Sequence, residues 1–148
     1  MEYEHTQYGY LGLGTAVFLA VVIGSSLPET FGNDPIVGYV ILASMVAIVV
    51  LTLWFSRLEV KVSSGVVTAL FGFGKPNRVI QLSDVTAARQ VRNRWIQGWG
   101  VRKISRGWMY NVWGLDAVEL ELTDGTVFRI GTDEPDKLHT VIAIQTSR

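Results

Sequence analysis

The residues best suited to chemistry in this chain lie in one basic, aromatic stretch. Residues 89–114 have the sequence RQVRNRWIQGWGVRKISRGWMYNVWG, without a single Asp or Glu. Cations attract anionic partners over a long range, and indoles provide flat, amphipathic contact area. The stretch therefore predicts a surface for a protein partner or for anionic lipid headgroups. This candidate partner or lipid surface consists of Arg89, Arg92, Arg94, Trp95, Trp99, Arg102, Lys103 and Arg106.

A structural interpretation of the same stretch is also open. Tryptophans are large apolar residues that often fill the core of a small domain, and the arginines could pair with Asp116, Glu119 and Glu121. On that interpretation, Trp95→Ala or Trp108→Ala would unfold the domain. The two interpretations differ in whether the tryptophan side chains are exposed.

The chain offers few groups for catalysis. Glu119 and Glu121 alternate along a predicted strand and share one face, but a solvated outer strand face opposite the arginines explains them without acid-base chemistry. The two histidines, His5 and His139, lie in the N-terminal tail and in a predicted helix, and cysteine is absent. We therefore expect no enzymatic activity, and we predict no catalytic residue, metal ligand or cofactor.

Two apolar segments near the N-terminus predict membrane spans. Residues 10–27 and 36–55 contain no charged residue, and helices of 18 and 20 residues cover about 27 and 30 Å, close to the hydrocarbon thickness of a bilayer. Trp54 and Phe55 end the second segment, where an aromatic belt would lie. Between the segments, PETFGNDP at 28–35 predicts a tight turn on the outer face.

The first apolar segment carries a small residue at every fourth position. Such a stripe lets a second helix approach closely. Its partner could be the second segment, which the short connection keeps nearby, or the same segment of another copy in a homo-oligomer; the covalent connection favours packing within the hairpin. The residues of this helix-packing stripe are Gly12, Ala16, Ala20 and Gly24.

The charges are divided unevenly along the chain. All thirteen Lys and Arg lie from Arg57 onward, together with nine of the thirteen acids, so the neutral total hides an excess of four positive charges there. The positive-inside rule places this part in the cytoplasm, and two spans return the N-terminus to the same side. We therefore expect a multi-pass protein of the inner (cytoplasmic) membrane with both termini cytoplasmic.

After residue 57 the hydrophobic period changes to two, which predicts strands. The predicted strands cover residues 58–71 as one hairpin, 78–82, 85–92, 101–104, 108–112, 117–122 and 126–131. Ser64-Gly65 and Asp124-Gly125 provide hairpin turns. A helix follows at about 134–146, with Asp133 as its predicted cap and an apolar stripe that must pack on a sheet.

Four segments cover most of this region: FGFGKPNRVIQLSDV at 71–85, W-x-x-G-W-G-V-R at 95–102, G-W-M-Y-N-V-x-G-L-D-A-V-E-L at 107–120 and D-G-T-V-F-R-I-G-T-D-E-P at 124–135. Together they resemble the bacterial pleckstrin-homology-like (PH-like) membrane proteins of uncharacterised function. The resemblance implies a bent sheet plugged at one end by the C-terminal helix, after a two-span anchor, and implies no catalytic or ligand residue. Lys61 is the only basic residue on the first hairpin, where headgroup-binding PH domains carry several.

The sequence therefore predicts a two-helix transmembrane hairpin within residues 1–56 and a cytoplasmic PH-like domain at 57–148. That domain would be a mainly antiparallel barrel or sandwich of about seven strands with a C-terminal helix. The predicted function is a non-enzymatic, membrane-anchored interaction or scaffold module, and the alternative is an anionic-lipid-binding sensor that uses residues 89–113. Nucleic acid is not an expected partner, because the sequence contains no recognised nucleic-acid-binding module.

Overall fold

The structure, a computed structural model, describes residues 2–146, apart from the side chains of Leu11, Leu27, Thr30 and Asn33. Within this range it contains nine strands and three α-helices. In chain order they are β1 (Tyr3–Tyr8), α1 (Tyr10–Asn33), α2 (Pro35–Trp54), β2 (Arg57–Ser63), β3 (Val66–Phe71), β4 (Asn77–Gln81), β5 (Val85–Arg92), β6 (Gly100–Ile104), β7 (Gly107–Asn111), β8 (Asp116–Leu122), β9 (Val127–Gly131) and α3 (Pro135–Thr146).

Two sheets enclose the core. The first is antiparallel with the order β1-β2-β3-β4, and the second has the order β5-β8-β9-β7-β6. In the second sheet the β7–β9 pair is parallel and the other pairs are antiparallel. The inward side chains of both sheets meet in one cluster, in which Phe71 packs on Tyr110 and Tyr110 packs edge-on against Phe128.

The structure confirms a mainly antiparallel β fold with a C-terminal helix. The predicted apolar stripe of α3 is buried in the same core through Leu138, Val141 and Ile142. Residues 57–148 contain eight strands, β2 to β9, where about seven were predicted, and the ninth strand, β1, precedes the helices. The N-terminal tail was not predicted to be a strand, because YEHTQY carries more polar than apolar side chains and lacks a clear period-two pattern.

Strand β1 pairs with β2 along its whole length, so that the helical pair is inserted between two neighbouring strands. Tyr8 lies opposite Arg57, and the Gly9 N–H donates to the Ser56 carbonyl at 2.7 Å, which closes the base of the pair. Both helices therefore leave and rejoin the first sheet at the same end. Residues 3–8 therefore belong to the β domain and are not a separate N-terminal tail.

Contacts with the beginning of α3 hold β1 from its other side. His5 Nε2 lies 2.6 Å from Asp133 Oδ1. Burial, followed by the nearby carboxylates of Glu134 and Asp133, raises the pKa of Tyr3 to about 12. Tyr3 is therefore neutral at physiological pH, as a partly buried phenol in acidic surroundings should be.

The connection between the helices is shorter than predicted. The predicted turn at 28–35 is mostly helical, because α1 continues to Asn33 and α2 begins at Pro35. Asp34 makes the tight reversal possible, since its carboxylate accepts hydrogen bonds from the N–H groups of Ile36 (3.0 Å) and Val37 (3.4 Å).

The apolar surface of the helical pair is largely uncovered. Exposed side chains include those of Val17, Phe18, Ile36, Tyr39 and Val40. By length and composition, one helix within the described residues, α2, could cross a membrane, whereas the apolar part of α1 is shorter, Gly12–Ser26. Exposed apolar surface of this extent is unusual in water and indicates a partner or a lipid environment.

The small-residue stripe of α1 is directed toward α2. Ala16 is buried, and a side-chain carbon at Gly12 would lie 2.4 Å from the hydroxyl oxygen of Ser56. Farther along, Ala20 and Gly24 line a cavity of about 290 Å3 between the helices. Within this stripe the close approach therefore occurs near the base of the pair, and the farther half borders a cavity.

The parallel β7–β9 pairing generates a testable prediction. A side-chain carbon at Gly107 would lie 1.7 Å from the Val127 carbonyl oxygen, so Gly107→Ala must displace one of the two strands. We expect it to lower the free energy of unfolding by about 2 kcal/mol or more. Thermal unfolding of the full chain in detergent, followed by near-ultraviolet circular dichroism, measures this, with Ser105→Ala in the exposed turn as control. Equal midpoints for the two variants would contradict the pairing.

Candidate functional site

The connection between β5 and β6 must cross the second sheet from one edge to the other. These two strands lie at opposite ends of the order β5-β8-β9-β7-β6. Four strand spacings amount to about 19 Å, and the eight Cα–Cα steps from Arg92 to Gly100 reach about 26 Å when fully extended. This crossing loop, residues 93–99, is therefore long enough to cross the sheet and to contain a tight turn.

Two hydrogen bonds attach the beginning of the crossing loop to the sheet. The Asn93 N–H donates to the Leu115 carbonyl at 2.6 Å, and Arg129 Nη1 donates to Asn93 Oδ1 at 2.9 Å. Because Arg129 lies in β9, at the centre of the sheet, the loop starts by folding back over the outer face.

The middle of the crossing loop forms a short 3-10 turn, Trp95–Gln97. Gln97 Oε1 accepts from the Arg94 N–H at 3.0 Å, which stabilises the turn, and the positive φ angles of Gly98 and Gly100 redirect the chain into β6. Trp95 and Ile96 project from the turn and are 77% and 71% exposed. Such exposure of two large apolar neighbours indicates a contact surface.

The tryptophans of residues 89–114 do not fill the core. Trp95 is the most exposed, and Trp99, Trp108 and Trp113 are 39%, 48% and 37% exposed. The interpretation of these residues as core is therefore wrong. The core positions of the stretch belong to Met109, Tyr110 and Val112, which are buried.

Aromatic side chains surround the base of the helical pair. Trp99 stacks on Trp113 at 6.1 Å, and Trp113 meets Tyr10 edge-on at 6.4 Å. On the side of the first sheet, Trp54 packs against the exposed Phe73 at 5.3 Å and donates from Nε1 to the Lys75 carbonyl. We call Tyr10, Trp54, Phe73, Trp99 and Trp113 the basal aromatic ring.

Two of the candidate cations form ion pairs with glutamates of the second sheet. Arg89 Nη2 lies 3.3 Å from Glu119 Oε1 and 3.1 Å from Glu121 Oε2, and Arg106 Nη1 lies 3.5 Å from Glu121 Oε1. The register explains this, because β5 pairs with β8 and places Arg89 opposite Glu119. The structural interpretation is therefore correct for these two arginines.

Glu119 is more than a surface carboxylate. It is 8% exposed and is held on its other side by Arg129, whose Nη2 lies 2.5 Å from Oε2. A carboxylate with two arginine partners at the centre of the outer face is a structural ion-pair network. Glu119 and Glu121 therefore have structural partners, and the expectation of a solvated carboxylate face is wrong for Glu119.

The remaining candidate cations have no carboxylate partner among the described residues. They are Arg92, Arg94, Arg102 and Lys103. Arg102 instead donates from Nε to the Trp99 carbonyl at 3.0 Å. Arg92 ends β5 and Arg94 lies in the crossing loop, whose last residue, Trp99, belongs to the basal aromatic ring. Four unpaired cations beside exposed indoles form a surface suited to an anionic partner.

A cleft of about 260 Å3 lies between the helical pair and the crossing loop. Its helical side includes Gly12, Thr15, Thr52 and Ser56, and its opposite side includes Trp99. Gly9 and Gly12 allow close contacts at this point, because an added side-chain carbon would lie 2.8 Å from the Val112 carbonyl oxygen and 2.4 Å from the Ser56 hydroxyl oxygen, respectively.

Sequence reasoning missed three parts of this site. Tyr10 and Phe73 were assigned to the first span and to a loop, and Ile96 was passed over beside its tryptophan neighbour. The aromatic-glycine pattern of FGFG and the start of the first apolar segment at Tyr10 were the available signals. Neither signal shows that these residues come together, because that depends on β1 pairing with β2.

Comparisons of this chain with protein-family models, curated proteins and solved structures find no match. The resemblance to PH-like membrane proteins stays a prediction.

The exposure of the tryptophans generates the second prediction. Trp95→Ala should change the free energy of unfolding by less than about 0.5 kcal/mol, because the indole is mostly in solvent. Met109→Ala, at a fully buried position of the same stretch, should lower it by about 2–5 kcal/mol. Chemical denaturation of the full chain in detergent compares the two. A large loss of stability in Trp95→Ala would restore the core interpretation.

Proposed function

We propose that this protein is a non-enzymatic, membrane-anchored interaction or scaffold module that holds a PH-like domain against the cytoplasmic face of the inner membrane. In this proposal α1 and α2 both cross the bilayer and residues 57–148, together with β1, form the cytoplasmic domain. The protein is embedded in the lipid bilayer, and the surface of the domain binds a protein partner.

One observation carries the proposal: an uncovered apolar helical pair leaves the sheet between two neighbouring strands. The apolar side chains of α2 would be exposed to water in a soluble protein, at a cost of roughly 25 cal/mol for each Å2. In a bilayer the same surface is solvated by lipid, and the backbone is satisfied within each helix. Both helices then meet the domain at one membrane surface.

The residues at the two ends of the helical pair support the orientation. The basal aromatic ring lies where the headgroups would be, which is where Trp and Tyr concentrate in membrane proteins. The far end carries Glu29 and Asp34 and no Lys or Arg. This asymmetry agrees with a cytoplasmic domain under the positive-inside rule.

The arrangement of the domain supports a PH-like platform. Strands β2 to β9 precede a C-terminal helix that packs into the core. Consecutive strands followed by one C-terminal helix are the element order that the resemblance implies. The β6–β7 hairpin, which belongs to the segments that carry the resemblance, and the crossing loop carry most of the candidate surface.

The absence of cysteine makes the topology directly testable. We expect Gly32→Cys, at the far end of the helical pair, to react with a membrane-impermeant maleimide in intact spheroplasts. Glu2→Cys and Ser83→Cys should react only after permeabilisation, because β1 and the rest of the domain lie on one side. All three positions are exposed, so unequal labelling reports the bilayer.

The cysteine-free parent protein is the control for background labelling. Labelling of Glu2→Cys and Ser83→Cys from opposite sides would contradict two spans. Labelling of all three variants in intact cells, or recovery of the protein in the soluble fraction, would overturn the membrane anchor itself.

A second candidate function, sensing anionic lipid at the membrane surface, is favoured by the four unpaired cations. Each Lys or Arg close to an acidic leaflet contributes about 1 kcal/mol. Arg94 precedes the exposed Trp95 and Ile96 in the crossing loop, Arg92 ends β5, and Arg102 contacts Trp99, which lines the cleft at the base of the helical pair. Since the anchor already confines the domain to the surface, a few kcal/mol is enough to orient it.

This candidate predicts that anionic lipid changes the surroundings of the crossing loop. An environment-sensitive dye on Ile96→Cys should shift to the blue in nanodiscs that contain phosphatidylglycerol, and the shift should decrease with salt. Replacing Arg92, Arg94 and Arg102 by Gln should abolish the shift, as expected from a loss of about 3 kcal/mol. The matched control, Lys61, Arg106 and Lys137 replaced by Gln, removes three charges that have carboxylate partners.

Equal loss of the shift in both triple variants would show a general effect of net charge. No shift in the parent protein would leave the crossing loop free for a protein partner. A protein partner would then be detected as a specific crosslink from Ile96 that tolerates moderate salt.

A further inference from the structure

We propose that the cleft at the base of the helical pair binds the headgroup of one phospholipid, and that it selects headgroups carrying hydrogen-bond donors. Phosphatidylglycerol and phosphatidylethanolamine carry such donors, whereas phosphatidylcholine does not. This inference rests on the proposed membrane anchor, because the anchor places the cleft at headgroup depth.

Three hydroxyl-bearing side chains line the helical side of the cleft: Thr15, Thr52 and Ser56. Thr52 Oγ1 donates to the Ile48 carbonyl at 2.8 Å, and Ser56 Oγ donates to the Thr52 carbonyl at 2.6 Å. Each hydroxyl has one hydrogen, so both oxygens have only lone pairs left to offer. A ligand that fits these oxygens must itself donate a hydrogen bond.

A cation is held beside the cleft. Arg102 does not line the cleft, but it donates from Nε to the carbonyl of Trp99, a residue that does, and its remaining N–H groups have no carboxylate partner among the described residues. Arginine has five N–H donors in a fixed fork, which matches a phosphate group. Acceptors in the cleft and a guanidinium next to Trp99 match the donor-bearing end and the phosphate of one headgroup.

Trp99 forms a fixed side of the cleft. Its ring stacks on Trp113 with an angle of 14° between the planes, so that it is held from behind while the cleft side remains open. An indole has an apolar ring and a polar N–H. At headgroup depth it therefore packs on the glycerol region of lipids. The helical side of the cleft requires a glycine at position 12, because a side chain there would collide with Ser56 Oγ.

The test uses the full chain, purified in mild detergent and analysed by native mass spectrometry with added phospholipids. We expect each chain to retain one molecule of phosphatidylglycerol or phosphatidylethanolamine. Phosphatidylcholine should exchange with detergent and should not be retained above the nonspecific background. Thr15→Phe fills the cleft and should remove the retained lipid. Gly14→Phe adds the same ring one residue away, where a side chain meets open space, and should leave the lipid in place.

Arg102→Gln should lower the retention of lipid about tenfold, as expected from the loss of one charge-assisted contact.

Near-ultraviolet circular dichroism of each variant shows whether its fold is intact. Equal retention in Thr15→Phe and Gly14→Phe would overturn the inference, as would equal retention of phosphatidylcholine. Alkaline extraction of the same membranes separates this failure from failure of the anchor. A wild-type chain that stays in the membrane but retains no lipid overturns the cleft alone, and a chain released by alkali overturns the proposed function.

Discussion

The antiparallel pairing of β1 with β2 is the contact on which the arrangement of the protein depends. Because these strands are neighbours, the chain between them must leave and return at one point, and the Gly9–Ser56 hydrogen bond closes that point. A helical hairpin inserted there can only project from one end of the sheet. The pairing also covers the edge of β2, so a fragment that starts at Arg57 would leave a strand edge open to association.

The crossing loop brings the second sheet to the same point. Its path from β5 to β6 places Trp99 beside Trp113, and the Trp113 ring contacts Tyr10 at the start of α1. The basal aromatic ring and the cleft, which both include Trp99, therefore occupy one part of the molecule. Arg106, in the turn between β6 and β7, has a carboxylate partner, whereas Arg102 contacts the crossing loop.

Local sequence patterns predicted most of the elements because those patterns have local causes. Period-two alternation identified β2, β3, β8 and β9. The Asp124-Gly125 turn identified the connection between β8 and β9, and the apolar spacing identified α3. The connection between α1 and α2 was less predictable. Pro and Gly residues indicate a break, but the Asp34 cap needs only one residue to reverse the chain, and α1 continues through Pro28.

The sequence by itself determined the two apolar segments, the charge asymmetry and the strand pattern, since each depends on neighbours along the chain. It also identified the basic, aromatic stretch as a candidate site. Only the tertiary structure decided which residues of that stretch are available. Arg89 forms ion pairs with glutamates because β5 lies beside β8. Trp95 is exposed because β6 lies at the opposite edge from β5, so that a loop must cross the sheet. Such pairings join residues far apart in sequence, and their register depends on packing of the whole core, which no short segment encodes.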